Sequence, residues 1–471
     1  MSDGPSATPP EDFRSVLASV DRRGRRRWIY AATFAGAWRR RRTVVATVLI
    51  LFYAALPFLT IAGEPWLRFD LPRQHIIILG RVFWPQDFFV LLLGMLAAIC
   101  ATLLLVSLFG RVFCGWLCPH NVFLEMVYRR IETWCEGPAH RRAIQDGRTP
   151  WPPGLIARKL AKWLLWIAVT GALANATTAL FVGSESFRLG LFIDPAAQPT
   201  AATFFAVAFA LILFNFAWFR EQTCTIVCPY GRLQAALIDR DTLVVAYDAK
   251  RGEPRGRKDT TTGDCVDCKA CVAVCPTGID IRNGIQLECI NCTACIDACD
   301  QVMHRLSRPP GLIRYTSENA LAGKPLRLLR PRAAIYAAAM VALATIAIVI
   351  VAVRPLLLVT RLRDTAVPLV ETDTRGRETV RSLVNLSLVN RDRHPRTVVS
   401  TLPAELDAEL ITQFAALRLE PNQRREQTLI VRVPRARFPD QPFTPHRIIT
   451  RLAVSDDRGG RTEIPLTLEA P

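Results

Sequence analysis

The chain has 471 residues, 51% of them hydrophobic, and its 59 Lys and Arg against 41 Asp and Glu give a formal charge of +18. That length exceeds one compact core and predicts several units. The basic balance fits either a nucleic-acid binder or the loops of a membrane protein. Long apolar blocks, with no recognition helix, stacking sheet, Walker or Rossmann pattern, exclude the first.

Residues 1–42 hold ten arginines, in clusters at Arg22 to Arg27 and Arg39 to Arg42. The second cluster directly precedes an apolar run, where it sets topology and contacts lipid headgroups. No cleavable signal peptide is read there, so that run is a retained span. Five runs are long enough to cross a bilayer: Thr43 to Ala62, Asp87 to Leu108, Ala161 to Phe181, Ala201 to Phe219, and Ala333 to Val353. Thr170, Asn175, Thr177 and Thr178 weaken the third. The stretch HIIILG at His75 to Gly80 is too short to span, which leaves an interfacial, re-entrant or buried loop segment.

Charge orients the spans. The 111–159 loop is basic, whereas the connections 63–86 and 182–200 are nearly neutral. The positive-inside rule therefore places the N-terminus, that loop and 220–332 in the cytoplasm, and the C-terminal part outside.

Two spans end in the same motif. Cys114 and Cys118 follow the second span in RVFCGWLCPH, and Cys224 and Cys228 follow the fourth in TCTIVCPY. If each CxxxC is helical, the i,i+4 spacing puts both sulfurs on one face, and the next proline bends or resets the helix. Four thiols at one membrane level have three readings. They pack as small buried side chains, they form a redox metal site for copper or iron–sulfur, or they form a reversible disulfide. His120 stands two residues past Cys118, either as a further copper ligand or bonded to a loop carbonyl. Cys100 and Cys135 lack a spaced partner and are read as ordinary thiols.

Eight of the fourteen cysteines lie between Cys265 and Cys299. Cys265, Cys268, Cys271 and Cys275 form C-x2-C-x2-C-x3-C-P. Cys289, Cys292, Cys295 and Cys299 repeat the spacing, with Asp300 in place of proline. This is the bacterial two-cluster ferredoxin pattern, in which the fourth cysteine serves the other cube. It predicts two [4Fe–4S] clusters. One is held by Cys265, Cys268, Cys271 and Cys299, the other by Cys275, Cys289, Cys292 and Cys295. Zinc sites use more widely separated CxxC pairs, and disulfides do not suit a cytoplasmic insert.

Beyond Arg354 the pattern changes to alternation, as in TVRSLVNLSLVN, QTLIVRVP and HRIITRLAVSD, which predicts short strands of an immunoglobulin-like β-sandwich. The stretch from Ala404 to Glu420 is less regular and has room for a short helix. The predicted fold class is a multidomain membrane protein. It has a basic segment at 1–42, a four-span membrane region with two CxxxCP motifs at 43–240, and a two-cluster ferredoxin-like insert at 241–332. A fifth transmembrane helix at 333–353 and an all-β immunoglobulin-like domain at 354–471 complete it.

The chain from about Trp66 onward resembles the CcoG/RdxA/FixG family of cytochrome c oxidase accessory proteins, membrane polyferredoxins. The resemblance rests on FWPQDFF at 83–89, GRVFCGWLCP at 110–119, CTIVCPYGRLQ at 224–234, DTLVVAYDAKRGEPRG at 241–256, the paired ferredoxin motifs and GLIRYTSENAL at 311–321. It departs at His120, where glutamine is usual. The resemblance implies a bacterial inner-membrane protein with a periplasmic C-terminal domain. It further implies a cupric reductase that supplies Cu(I) for cbb3-type oxidase, with the oxidase or its copper-delivery factors and a cytoplasmic electron donor as partners. Cys114, Cys118, Cys224 and Cys228 would then be the reacting thiols. A quinol-linked electron-transfer protein and a non-enzymatic assembly scaffold are the alternatives.

Overall fold

A backbone surrounded by lipid has to satisfy its own hydrogen bonds, so long apolar runs fold as helices. The computed structural model of the protein describes residues 19–20, 25–61, 63–71, 74–147, 150–183, 194–256, 263–362, 368–372, 377–438 and 446–470. Residues 1–18 and 21–24 of the basic segment, including Arg22 and Arg23, and 184–193 of the 182–200 connection lie outside the described residues. Among the described residues five helices are long and apolar enough to cross a membrane. They are α1 (Ala37–Ala55), α2 (Phe88–Phe109), α3 (Pro153–Phe181), α4 (Pro199–Phe214) and α5 (Pro331–Val353).

Each predicted span overlaps one of these helices, with shifted ends. The helix α1 begins at Ala37, so Arg39 to Arg42 lie in its first turns instead of ahead of it. The Asp297 carboxylate accepts the amides of Trp38 (3.2 Å) and Arg39 (2.7 Å), which satisfies two orphan donors and favours the positive end of the helix. The helix α3 begins at Pro153, where proline is tolerated because its missing amide would have no partner. The polar residues that weaken α3 by hydropathy mostly find partners. Thr170 Oγ1 meets Tyr128 OH at 2.8 Å, Thr177 Oγ1 meets Tyr53 OH at 2.7 Å, and Thr178 donates to the Ala174 carbonyl. The stretch read as an interfacial, re-entrant or buried loop segment forms a strand, His75–Ile78, central in a three-stranded antiparallel sheet with Leu67–Asp70 and Arg81–Phe83, so it is not a loop.

The cysteine insert is closed by its own ends. Val244–Tyr247 and Ile313–Thr316 pair antiparallel, from Val244 opposite Thr316 to Tyr247 opposite Ile313. The Leu243 amide donates to the Leu108 carbonyl and Thr242 Oγ1 to the Ser107 carbonyl, both at 3.0 Å, which fastens the entry strand to the end of α2. Residues 1–348 form one compact unit and 349–471 a second.

The second unit is two antiparallel sheets. One runs in the order Glu409–Thr412, Arg424–Pro434, Glu378–Asn390, Leu357–Arg361, with Leu369–Thr372 also paired to Glu378–Asn390. The other runs Leu417–Leu419, Arg396–Thr401, His446–Asp456, Arg461–Ala470. Alternate residues of both enter one core, as the period of a strand requires: Leu386 and Leu388, Leu429 and Val431, Leu452 and Val454, Leu466 and Leu468. This is the sandwich architecture that the alternation predicts. The irregular stretch resolves into one short turn of helix, Ala404–Leu406, and two edge strands, one for each sheet.

Leu388 is fully buried in that core, so Leu388→Ala should destabilise the β-sheet unit by about 2–5 kcal/mol. Ile449, 81% exposed on a strand of the same unit, should tolerate Ile449→Thr within about 0.5 kcal/mol. Amide hydrogen exchange of the intact protein against denaturant measures both.

Candidate metal centres

The two C-x2-C-x2-C runs fold into matching loops. The residues on either side of each middle cysteine are left-handed: Asp267 (φ 53°) and Lys269 (φ 55°) around Cys268, Asn291 (φ 51°) and Thr293 (φ 63°) around Cys292. Paired left-handed residues without glycine are uncommon and persist only where surrounding contacts hold them. Here they curl the backbone around a centre. The third cysteine of each run, Cys271 or Cys295, then enters the first turn of a helix, Ala270–Ala273 or Ala294–Arg305.

The structure sorts the eight thiols into two groups of four. Cys265, Cys268, Cys271 and Cys299 line one cavity. Cys275, Cys289, Cys292 and Cys295 line another, which Cys271 also borders. Each cavity thus receives three cysteines from one run and one from the other, and the two share a wall. The remaining lining is largely apolar, with Val266, Met303, Leu312 and Ile313 in the first and Val245, Ile279, Ile281 and Ile290 in the second. Burial pushes the Cys271, Cys289 and Cys299 thiols up to about 12 and Cys292 up to about 11. Thiols held in this way ionise only beside strong positive charge, which bound iron provides. Four buried thiols around a dry cavity fit the thiolate cradle of an iron–sulfur cube, in both sites.

The two CxxxC segments have similar geometry, which differs from the simple helical expectation. Phe113–Leu117 and Thr223–Val227 are single turns of wide π-helix. Cys118 and Cys228 stand beyond them with extended backbone, and Pro119 and Pro229 each open a new helix. Of the two expectations for the proline, bending or resetting the helix, the second holds: each proline starts a new one. Cys114 and Cys224 are both held above the usual thiol range, first by burial, with nearby cysteines of the same set adding to the shift. Cys114 and Cys118 thus share one neighbourhood with Cys224 and Cys228.

Residues that sequence reasoning passed over hold the set together. Asn121 Nδ2 donates to the Cys114 carbonyl at 2.7 Å and lies 3.7 Å from Cys224 Sγ, bridging the two segments. Cys114 Sγ donates to Gln234 Oε1 at 3.1 Å, and Arg111 Nε donates to the same oxygen at 3.2 Å. Arg111 also donates to the Leu287 carbonyl, just ahead of the second cysteine run. Arg111 and Gln234 fall inside the quoted repeat segments and Asn121 directly follows the first, and their polarity beside buried thiols was the available signal. Arg220 and Glu221, which precede Cys224, enter a buried ionic network. Arg220 pairs with Glu132, and Glu221 pairs with Arg129 at 3.1 Å.

The first CxxxC turn lies directly on the second cysteine loop. A Cβ at Gly115 would overlap the Ile290 carbonyl oxygen and stand 3.0 Å from both Cys292 Cα and Cys292 N. Trp116 Nε1 donates to the Asn291 carbonyl at 3.2 Å, and the buried Arg42 donates Nε to the Gly115 carbonyl at 2.8 Å. Cys114, Ile290 and Cys292 share one small buried cluster.

His120 has both ring nitrogens occupied. Nε2 donates to the Arg220 carbonyl at 2.9 Å, and Asn215 Nδ2 donates to Nδ1 at 3.1 Å. Burial lowers its basicity, and its ring stacks on Phe216. It takes the loop-carbonyl role. Cys100 lies within α2, Cys135 packs against the buried apolar cluster that contains Tyr128 and Trp166, and none of the fourteen cysteines forms a disulfide. Among the described residues no three His, Cys, Asp or Glu side chains converge on a point that holds one metal ion. Cube ligands stand around an inorganic core and need not converge in this way.

Gly115→Ala should force the CxxxC turn away from the Cys292 loop. EPR of the reduced protein should then show one of two cluster signals altered and the other unchanged, with total iron retained.

Two family models match the chain. A 4Fe-4S dicluster domain covers residues 219–318 and a 4Fe-4S binding domain covers residues 89–140. The second takes in Cys114 and Cys118. The nitrogen fixation protein FixG of Rhizobium meliloti is 38% identical over 62% of this chain and 58% of its own length. Protein RdxA of Cereibacter sphaeroides is 36% identical over 66% of this chain and 68% of its own, and RdxB of the same organism 40% identical over 53% and 56%. The match thus spans less than two thirds of FixG and RdxB and just over two thirds of RdxA. A solved FixG-related protein from Vibrio parahaemolyticus aligns with 24% of this chain and 93% of its own at 10% identity and a TM-score of 0.19, too loose to bear on the fold. With its five membrane-length helices and two 4Fe–4S clusters, the chain belongs to the FixG, RdxA and RdxB family of membrane-associated iron–sulfur electron-transfer proteins.

Proposed function

We propose that the protein passes electrons from a reduced cytoplasmic donor to Cu(II), so that Cu(I) is available for the copper centre of a cbb3-type oxidase. Each Cu(II) gains one electron and the donor loses one, with no atom transferred. The observation that carries this reading is the seating of the first CxxxC turn on the Cys292 loop, with only Gly115 between the two backbones. In this reading Cys265, Cys268, Cys271 and Cys299 hold one [4Fe–4S] cluster, and Cys275, Cys289, Cys292 and Cys295 hold the other. When bound, the clusters supply one-electron storage and transfer.

The chain's own residues prepare the second half of the task. Asn121 holds the two CxxxC segments to one another, and Gln234 with Arg111 fixes Cys114. Cys114, Cys118, Cys224 and Cys228 form a soft donor set that suits Cu(I) better than Cu(II), which favours the reduced ion as it forms. Copper is the substrate here and not a resident cofactor. The ten arginines of 1–42 and the basic 111–159 loop support a cytoplasmic N-terminus and insert in the bacterial inner membrane, with the β-sheet unit periplasmic. That unit would meet the oxidase or a copper-delivery factor.

Anaerobic protein, reduced and freed of excess reductant, should turn over stoichiometric Cu(II), read as Cu(I) bound by a chelator. A Cys114, Cys118, Cys224 and Cys228 to Ser variant should keep both cluster signals and lose the reduction. Equal reduction by this variant would move the reaction to the exposed insert. No reduction by the wild type would sink the copper reading. Separately, Cys299→Ser should disturb the signal shared with Cys265→Ser, and Cys275→Ser the signal shared with Cys289→Ser, checked by EPR.

A further inference from the structure

A cavity of about 250 Å3 opens beside the start of α1. Five arginines line it: Arg39, Arg42, Arg129, Arg130 and Arg142. Cys292 of the second thiol group forms part of the same wall. Two carboxylates, Glu125 and Asp297, also line it, leaving three positive charges in excess. Both carboxylates are already engaged. Glu125 pairs with Arg129, and Asp297 accepts the amides of Trp38 and Arg39.

The arginines fall into two groups. Arg129 is neutralised by Glu125 and Glu221, and Arg142 by Glu132. Arg39, Arg42 and Arg130 have no carboxylate within ion-pair distance among the described residues. Arg42 is 7% exposed, and although its Nε donates to Gly115, its Nη2 is buried with no hydrogen-bond partner. Arg130 is steadied by Thr43 Oγ1 at 3.0 Å and by Met126 Sδ. Three guanidiniums that make no ion pair, one of them buried, cost free energy that the longer-range attraction of Glu125 and Asp297 for Arg39 offsets only in part.

We infer that this cavity binds a phosphate-bearing anion. A guanidinium presents donors in a fixed fork that matches phosphate oxygens, and a phosphate offers enough oxygens to engage several at once. The space exceeds a bare halide and leaves room for the group esterified to the phosphate, with Phe34, Met126 and Trp134 as its apolar border. Two sources share this chemistry. One is a phospholipid headgroup, placed by the position of Arg39 and Arg42 at the start of a membrane-length helix. The other is free phosphate or a soluble phosphorylated molecule. Because Cys292 lines the same space, bound anion places negative charge beside the second cluster and lowers its reduction potential.

The test uses the intact, cluster-loaded protein in neutral detergent and phosphate-free buffer. Inorganic phosphate and dihexanoyl-phosphatidylglycerol are titrated separately by calorimetry. At least one should bind at one site per chain, and Arg130→Gln and Arg39→Gln should each weaken it about tenfold or more, with iron content unchanged. Binding by phosphate alone assigns the soluble source, and binding by the lipid alone assigns the headgroup. In wild-type protein the binding probe should also shift one cluster to lower potential in a redox titration read by EPR, a measurement that needs no variant. Failure of both probes to bind the wild type, or binding that both variants leave unchanged, would overturn the site.

Discussion

Two stretches of backbone meet at Gly115 and Cys292 with no side chain between them, and the architecture of the first unit is arranged around that contact. Ile290 and Cys292 occupy the space a Cβ would need, Trp116 reaches over to Asn291, and Arg42 holds the Gly115 carbonyl from the side of α1. The insert therefore cannot drift from the helix ends without breaking buried hydrogen bonds on several elements at once. Gly110 repeats the device one turn earlier. It takes a positive φ of 57° where a Cβ would crowd Leu243 and Asn291. Two glycines within six residues let the end of α2 and the cysteine insert pack as one body.

Charge supports the same junction. Arg129 stands between Glu125 and Glu221 and donates to the Pro276 carbonyl at 3.3 Å, while Glu132 joins Arg220 to Arg142. Burial works against the Glu132 carboxylate, but Arg220 and Arg142 outweigh it and hold the group below the usual carboxylate range. Such a network gives little net stability compared with an apolar core of equal volume, yet losing one partner strands a buried charge. Its consequence is register. The segment ahead of Cys224, the helix after Cys118 and the proline after Cys275 are tied into one frame. Electron transfer depends on fixed separations more than on acid–base chemistry, so this rigidity suits the task of the chain.

The thiols show how environment divides one residue type into several roles. Fourteen cysteines carry the same chemistry, but the eight in the insert line two cavities with apolar walls. Four more sit where Asn121, Gln234 and Arg111 supply polar contacts. Cys100 and Cys135 are left to ordinary packing. Paired left-handed residues around Cys268 and Cys292 make the insert loops possible, and no propensity scale would favour Lys269 or the β-branched Thr293 there. Those conformations are held by tertiary contact, as the Asn291 side chain shows by accepting the Val245 amide and reaching the Phe109 carbonyl.

Spacing and hydropathy alone determined the five membrane-length helices, the doubled cysteine motif, the matched CxxxCP segments and the alternating strands. Each of these is a local pattern whose period is set by backbone geometry or by the size of a cluster. What the sequence left open was decided by contacts between distant residues. It misplaced the start of α1, because the cap comes from Asp297, more than 250 positions away. It left the role of His120 between metal ligand and loop contact, because Arg220 and Asn215, which take both ring nitrogens, arrive from α4 and its extension. It read His75–Ile78 without its sheet partners, since a strand of four residues gains its identity only from what it pairs with. The arginine cavity was invisible for the same reason, since Arg39 and Arg42 meet Arg129, Arg130 and Cys292 only once the insert has packed against the helix ends.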